Sequence, residues 1–139
     1  MKLIKLGILI FSVFLISSCD EFPDHDAFIE IINNSNEDIV WIQLSNVTVN
    51  DTLTLTESLP WSNINEKIIP SGTEIKHDFI ASNVQKRLST GWFVYYLFSY
   101  DSLMTIPWER IRDEHIVLKQ VYFETWEDME ACDFTITYP

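Results

Sequence analysis

Glycine occurs only three times in 139 residues, at Gly7, Gly72 and Gly91, which removes the glycine-rich loops that cradle phosphate in nucleotide-binding proteins. The Gly-x-Ser-x-Gly turn of serine hydrolases and the His-Glu-x-x-His zinc helix are missing as well. The three histidines, His25, His77 and His115, stand far apart in the sequence, and no two have metal-ligand spacing. His25 lies between Asp24 and Asp26, but ligands on a flexible tether must be ordered on binding and enclose no defined geometry. Positive charge is scarce too. Nine Lys and Arg face 21 Asp and Glu, for a net charge of −12, so the chain is repelled by nucleic-acid phosphate and by anionic headgroups. No apolar run reaches the about 20 residues that a membrane-spanning helix needs. The 21 carboxylates allow a glycosidase pair to be imagined, but no two stand out as the acid and base across a cleft. No catalytic residue, cofactor site or metal site is expected, and the chain is not expected to be an enzyme.

What is present begins at the N-terminus. Lys2 and Lys5 precede an apolar run from Leu6 to Ile16, followed by small residues and a cysteine; this is the layout of a cleaved secretory signal. The tetrad Ile16-Ser17-Ser18-Cys19 resembles the lipobox of bacterial lipoproteins. That resemblance implies a diacylglyceryl group on the Cys19 thiol and loss of Met1 to Ser18. Residues 1–18 are then a signal peptide, 19–27 an acidic tether and 28–139 a single β-rich domain. Cleavage removes two lysines and no carboxylate, so the net charge moves from −12 to −14. With Cys19 carrying lipid, Cys132 has no partner for a disulfide. Its neighbours Met129, Ala131 and Phe134 mark it as a small buried hydrophobe. A content of 47% apolar and 14% aromatic residues is too high for a disordered acidic tail.

The remaining chain reads mainly as strands. Phe28–Ile32 and Ile39–Leu44 flank the turn-forming cluster Asn33 to Asp38 and are predicted to form a hairpin. Val47–Val49 and Leu53–Leu55 follow, with Thr52, Thr54 and Thr56 alternating against leucine. Pro70-Ser71-Gly72 is a turn, and Glu74 to Ile80 alternates charged residues with Ile75, His77 and Phe79. His77 therefore sits on the apolar side as a hydrogen-bonded core histidine. Residues 83–90 read as a loop or short helix. Trp92 to Phe98 is almost continuously apolar and fits a strand buried on both faces at the centre of the sheet.

The C-terminal quarter changes character. Pro107 opens a helix that places Trp108, Ile111 and His115 on one packed face. Ile116 to Phe123 is strand-like. Thr125 to Asp128 forms a capping box for a second helix, and Thr135 to Tyr138 closes as a strand. The expected fold is mainly β, an antiparallel sandwich-like domain with two short helices in its C-terminal part.

The succession Asp101-Ser102-Leu103, Ile106-Pro107-Trp108-Glu109-Arg110-Ile111-Arg112, Trp126-Glu127-Asp128-Met129 and Thr135-Ile136-Thr137-Tyr138-Pro139 is similar to a set of short Bacteroides-type lipoproteins without an assigned reaction. The resemblance implies a bacterial envelope location, lipid-anchored, in the outer membrane and exposed at the surface. An aspartate directly after the lipidated cysteine also resembles an inner-membrane retention signal, which points to the opposite destination. Asp51-Thr52-Leu53 and Asp101-Ser102-Leu103 resemble the O-glycosylation pattern of exported Bacteroidota proteins, implying modification at Thr52 and Ser102. The same dipeptides also serve turns and helix caps.

Three functional classes remain. The first is an anchored binding or structural accessory module with a protein or glycan partner. The second is an inhibitor or immunity-type lipoprotein that binds a basic partner protein, for which the negative charge would speed encounter. The third is a hydrolase, which would need a concave pocket of convergent polar groups. The tryptophans, Trp41, Trp61, Trp92, Trp108 and Trp126, are expected in the core rather than in an exposed sugar-stacking platform.

Overall fold

The computed structural model describes residues 26–47 and 61–139. Among these residues seven strands, one 3-10 helix and four short α-helices follow in order: β1 Asp26–Asn33, β2 Ile39–Val47, a 3-10 helix Trp61–Lys67, β3 Ile68–Ile69, β4 Glu74–Ile80, α1 Ala81–Leu88, β5 Trp92–Ser99, α2 Tyr100–Thr105, α3 Trp108–Asp113, β6 Lys119–Phe123, α4 Trp126–Ala131 and β7 Thr135–Tyr138. The strands form two sheets, a three-stranded one ordered β4-β1-β7 and a four-stranded one ordered β3-β2-β5-β6. This is the mainly β fold that the alternating patterns predict, with helices added. Of the five strand pairings among the described residues, only β1 with β7 is parallel.

The predicted hairpin of β1 and β2 does not form. The two strands lie in different sheets, and the segment between them arches from one layer to the other. A buried asparagine directs this. The Asn33 side chain donates to the backbone carbonyls of Glu37 (2.8 Å), Ile69 (3.0 Å) and Pro70 (3.2 Å), and its Oδ1 accepts from the Ser35 N–H and hydroxyl. These bonds tie the end of β1 to the turn that joins β3 and β4. Asn33 is fully buried, so each of these bonds avoids the cost of an orphaned polar group.

Two apolar cores result. Ile29, Ile31 and Ile136 of the smaller sheet meet Ile39, Trp41, Tyr95 and Leu97 of the larger one between the layers. The outer face of the larger sheet, with Val40, Ile42, Val94, Tyr96 and Phe98, is covered by Leu103 of α2 and by Trp108 and Ile111 of α3. β5 therefore feeds both cores, and Phe93 to Phe98 are all buried, as the apolar run predicts. Burial in β4 alternates strictly, again as read from the sequence.

The helices differ from expectation in number and in one side chain. α2 is an extra turn started by Ser99, whose side chain accepts from the Ser102 N–H. α1 forms where a loop or helix was expected. The capping box of α4 is present, with Thr125 Oγ1 accepting from the Asp128 N–H and Asp128 accepting from the Thr125 N–H. His115, however, does not pack. α3 ends at Asp113, His115 takes a left-handed φ of 56°, and the turn swings its ring into solvent, 3.3 Å from Gln120 Oε1.

Candidate functional site

Apart from Asn33, a second polar cluster joins the two sheets. β4 delivers His77, β5 delivers Tyr95, β2 delivers Trp41, and the end of the 3-10 helix delivers Lys67. His77 Nδ1 and the Tyr95 hydroxyl share a hydrogen bond of 2.9 Å. The Trp41 ring lies 4.5 Å from the imidazole, and Lys67 Nζ sits 5.2 Å from the Trp41 ring centroid, within cation–π range. Trp41 is buried, and its indole N–H meets no acceptor.

The local electrostatics favour the neutral forms of His77 and Tyr95. Burial first, and then the Lys67 ammonium, lower the pKa of His77, with Asp78 opposing them. Burial pushes the Tyr95 phenol upward. A weakened base bonded to a weakened acid suits interlayer packing rather than proton transfer. The hydrogen-bonded core role read for His77 is what the geometry provides.

Two concave features lie on the surface of the described residues. A groove of about 330 Å³ runs between α1 and the start of α4, with Leu88 and Trp126 as its apolar lining and Glu124 and Glu127 as its acidic lining. Trp126 is held by its indole N–H donating to Glu130 Oε1 at 2.8 Å. A notch of about 290 Å³ opens beside the first residues of β1, lined by Asp26, Phe28, Glu30 and Lys76 on one side and Asp133 and Phe134 on the other. Lys76 Nζ is 3.6 Å from Glu30 Oε1 and 4.4 Å from the Phe28 ring centroid.

The residues singled out in the sequence do not converge on either feature. Cys19, Thr52 and His25 lie outside the described residues, as do the predicted strand Leu53–Leu55 and the side chain of Trp61. Ser102 is half-buried in the first turn of α2, its N–H bonded to Ser99 Oγ; the helix cap is Ser99 and not the Asp101-Ser102 dipeptide. Cys132 is half-buried against the interlayer core, its thiol donating to the Met129 carbonyl at 3.1 Å. Trp41 and Trp108 are buried, and Trp92 and Trp126 are half-buried, so these four pack instead of forming an exposed platform. Among the described residues no group of His, Cys, Asp and Glu is arranged to hold a metal, and no helix is long and apolar enough to cross a membrane.

The notch was missed because alternation in β1 shows which face is buried but not where a neighbouring strand stops. Lys67 was missed because the stretch before it has no period. No protein-family model, curated protein or solved structure matches this chain.

Proposed function

We propose that the protein is a lipid-anchored module of the bacterial cell envelope, held by Cys19 and acting through binding rather than catalysis. The observation that carries this reading is the tetrad Ile16-Ser17-Ser18-Cys19 at the end of a basic-then-apolar leader. The fold is compatible with it: the first described strand starts at Asp26, seven residues beyond Cys19. Seven Cα steps reach at most about 25 Å, so such an anchor would keep β1 close to the membrane surface. Two or more acyl chains make attachment stable, at about 0.8 kcal/mol per buried methylene.

Cys19→Ala tests the anchor. The variant should accumulate as uncleaved precursor or appear in the soluble fraction, and mass spectrometry of the wild-type membrane fraction should find a lipidated N-terminal cysteine. A mature-size Cys19→Ala protein that stays membrane-bound, or an unmodified wild-type thiol, contradicts it.

One observation favours the basic-partner form of this reading. Glu124, Glu127, Asp128, Glu130 and Asp133 are all exposed within ten residues that contain no Lys or Arg, and members of the group line both surface concavities.

A further inference from the structure

We propose that the open half-edge of β1, at Asp26 and Phe28, receives an extended lysine- or arginine-bearing segment of a partner protein, which adds a short strand to the three-stranded sheet. The inference deepens the binding-module reading and does not depend on the lipid anchor.

The backbone geometry carries it. Residues of β1 direct their N–H and C=O groups alternately to β4 and to β7. Asn33 donates its N–H to Thr73 on the β4 side, and Glu30 donates to the Phe134 carbonyl on the β7 side at 2.9 Å. Asp26 and Phe28 share the parity of Glu30 and so face the β7 side. β7 does not reach them, because its register begins at Glu30 opposite Thr135.

The reason is local. Continuing the parallel ladder would require the Phe134 N–H to bond the Phe28 carbonyl. That N–H is used instead on the Met129 carbonyl at 2.9 Å, while Asp133 N–H closes on Glu130 and Thr135 N–H on Cys132. Asp133 and Phe134 take left-handed φ values of 52° and 51°, turning the chain back to finish α4. The backbone groups of Asp26 and Phe28 are thus left without a strand partner on that side among the described residues, facing the 290 Å³ notch.

Other edges of this sheet are guarded. β4 carries Glu74, Lys76 and Asp78, of mixed sign, along its exposed positions, and the outer edge of β7 is covered where Lys119 Nζ donates to the Thr137 carbonyl at 2.6 Å. Charged side chains of this kind block edge pairing. At the notch the carboxylates of Asp26, Glu30 and Asp133 outnumber Lys76, and Lys76 is already paired with Glu30. An incoming strand therefore finds main-chain pairing from β1 and complementary charge if its side chains are basic; backbone bonds supply affinity in strand addition and side chains supply selection.

The test uses the full-length protein in detergent and three fluorescent hexapeptides: alternating Lys and Val, alternating Glu and Val, and the Lys/Val peptide with alternate amides N-methylated. Saturable binding of the Lys/Val peptide, at least tenfold weaker binding of the other two, and amide shifts at Asp26 and Phe28 on titration are expected. Phe28→Pro removes an N–H on the open side only, leaves the β1–β4 ladder intact, and should weaken binding at least tenfold with an unchanged thermal midpoint. Asp26→Lys with Asp133→Lys should weaken it as well, and the amide shifts of the wild type decide the matter if either variant unfolds. Cys19→Ala should bind the peptide as the wild type does whether or not it is anchored, so the two readings fail separately. Equal binding of all three peptides, absence of saturable binding, shifts confined to the α1–α4 groove, or self-association through this edge would overturn the proposal.

Discussion

The two sheets solve the same problem in opposite ways. The larger one is buried on both faces, so its central strand β5 is apolar without interruption from Phe93 to Phe98. The smaller one packs one face and wets the other, so β4 alternates half-buried and exposed residues, and Phe28 on β1 is 42% exposed. A strand's hydrophobic pattern thus reports how many layers cover it. The same contrast extends to edges. β5 and β2 lie inside their sheet with neighbours on both sides, whereas β1, although central in order, is flanked by β7 along only its second half.

The sharpest way to break the contrast is to truncate neighbouring side chains of β5. Leu97 faces the interlayer core and Phe98 the outer core, so Leu97→Ala should cost about 2–5 kcal/mol and Phe98→Ala about 3–5 kcal/mol in denaturant unfolding. A small effect at Phe98 would mean that α2 and α3 do not seal the outer face.

Next in size is the arch between the sheets. Asn33→Ala removes the side-chain amide that bridges the carbonyls of Glu37, Ile69 and Pro70, which should cost about 1–3 kcal/mol. Full stability in that variant would show that the arch is held by packing alone.

The interlayer histidine gives a smaller, pH-dependent effect. Its folded-state pKa is lowered from 6.5 by burial and by Lys67, so below pH 6.5 the unfolded chain binds the proton more readily than the folded one. The stabilisation from keeping His77 neutral is complete above 6.5 and is lost as pH falls through the folded value. Urea unfolding at stepped pH should show this slope in the wild type and lose it in His77→Gln; an identical slope in both would place the titration elsewhere. At the bottom of the scale, Phe28→Ala on the wet face should change stability by less than about 0.5 kcal/mol.

How much of this was legible in the sequence follows from how local each cause is. The runs in β4 and β5 report their own burial, and the Thr125–Asp128 capping box lies within one helical turn, so these were readable. The β1–β2 arrangement was not, because it is set by Asn33 bonding to Ile69 and Pro70, more than thirty residues away, and an asparagine among turn residues looks the same in a hairpin and in an arch. His115 followed the helical spacing of Trp108 and Ile111, but the helix ended one turn early. The notch depends on a single amide, Phe134 N–H, choosing Met129 over Phe28, and no pattern of residue types records that choice.

Native-state hydrogen exchange tests the open half-edge most directly, because Glu30 and Phe28 lie on the same strand and direct their N–H groups to the same side. Glu30 N–H is bonded to Phe134 and should exchange orders of magnitude more slowly than Phe28 N–H. Equal protection at the two positions would contradict an unpaired edge at the start of β1.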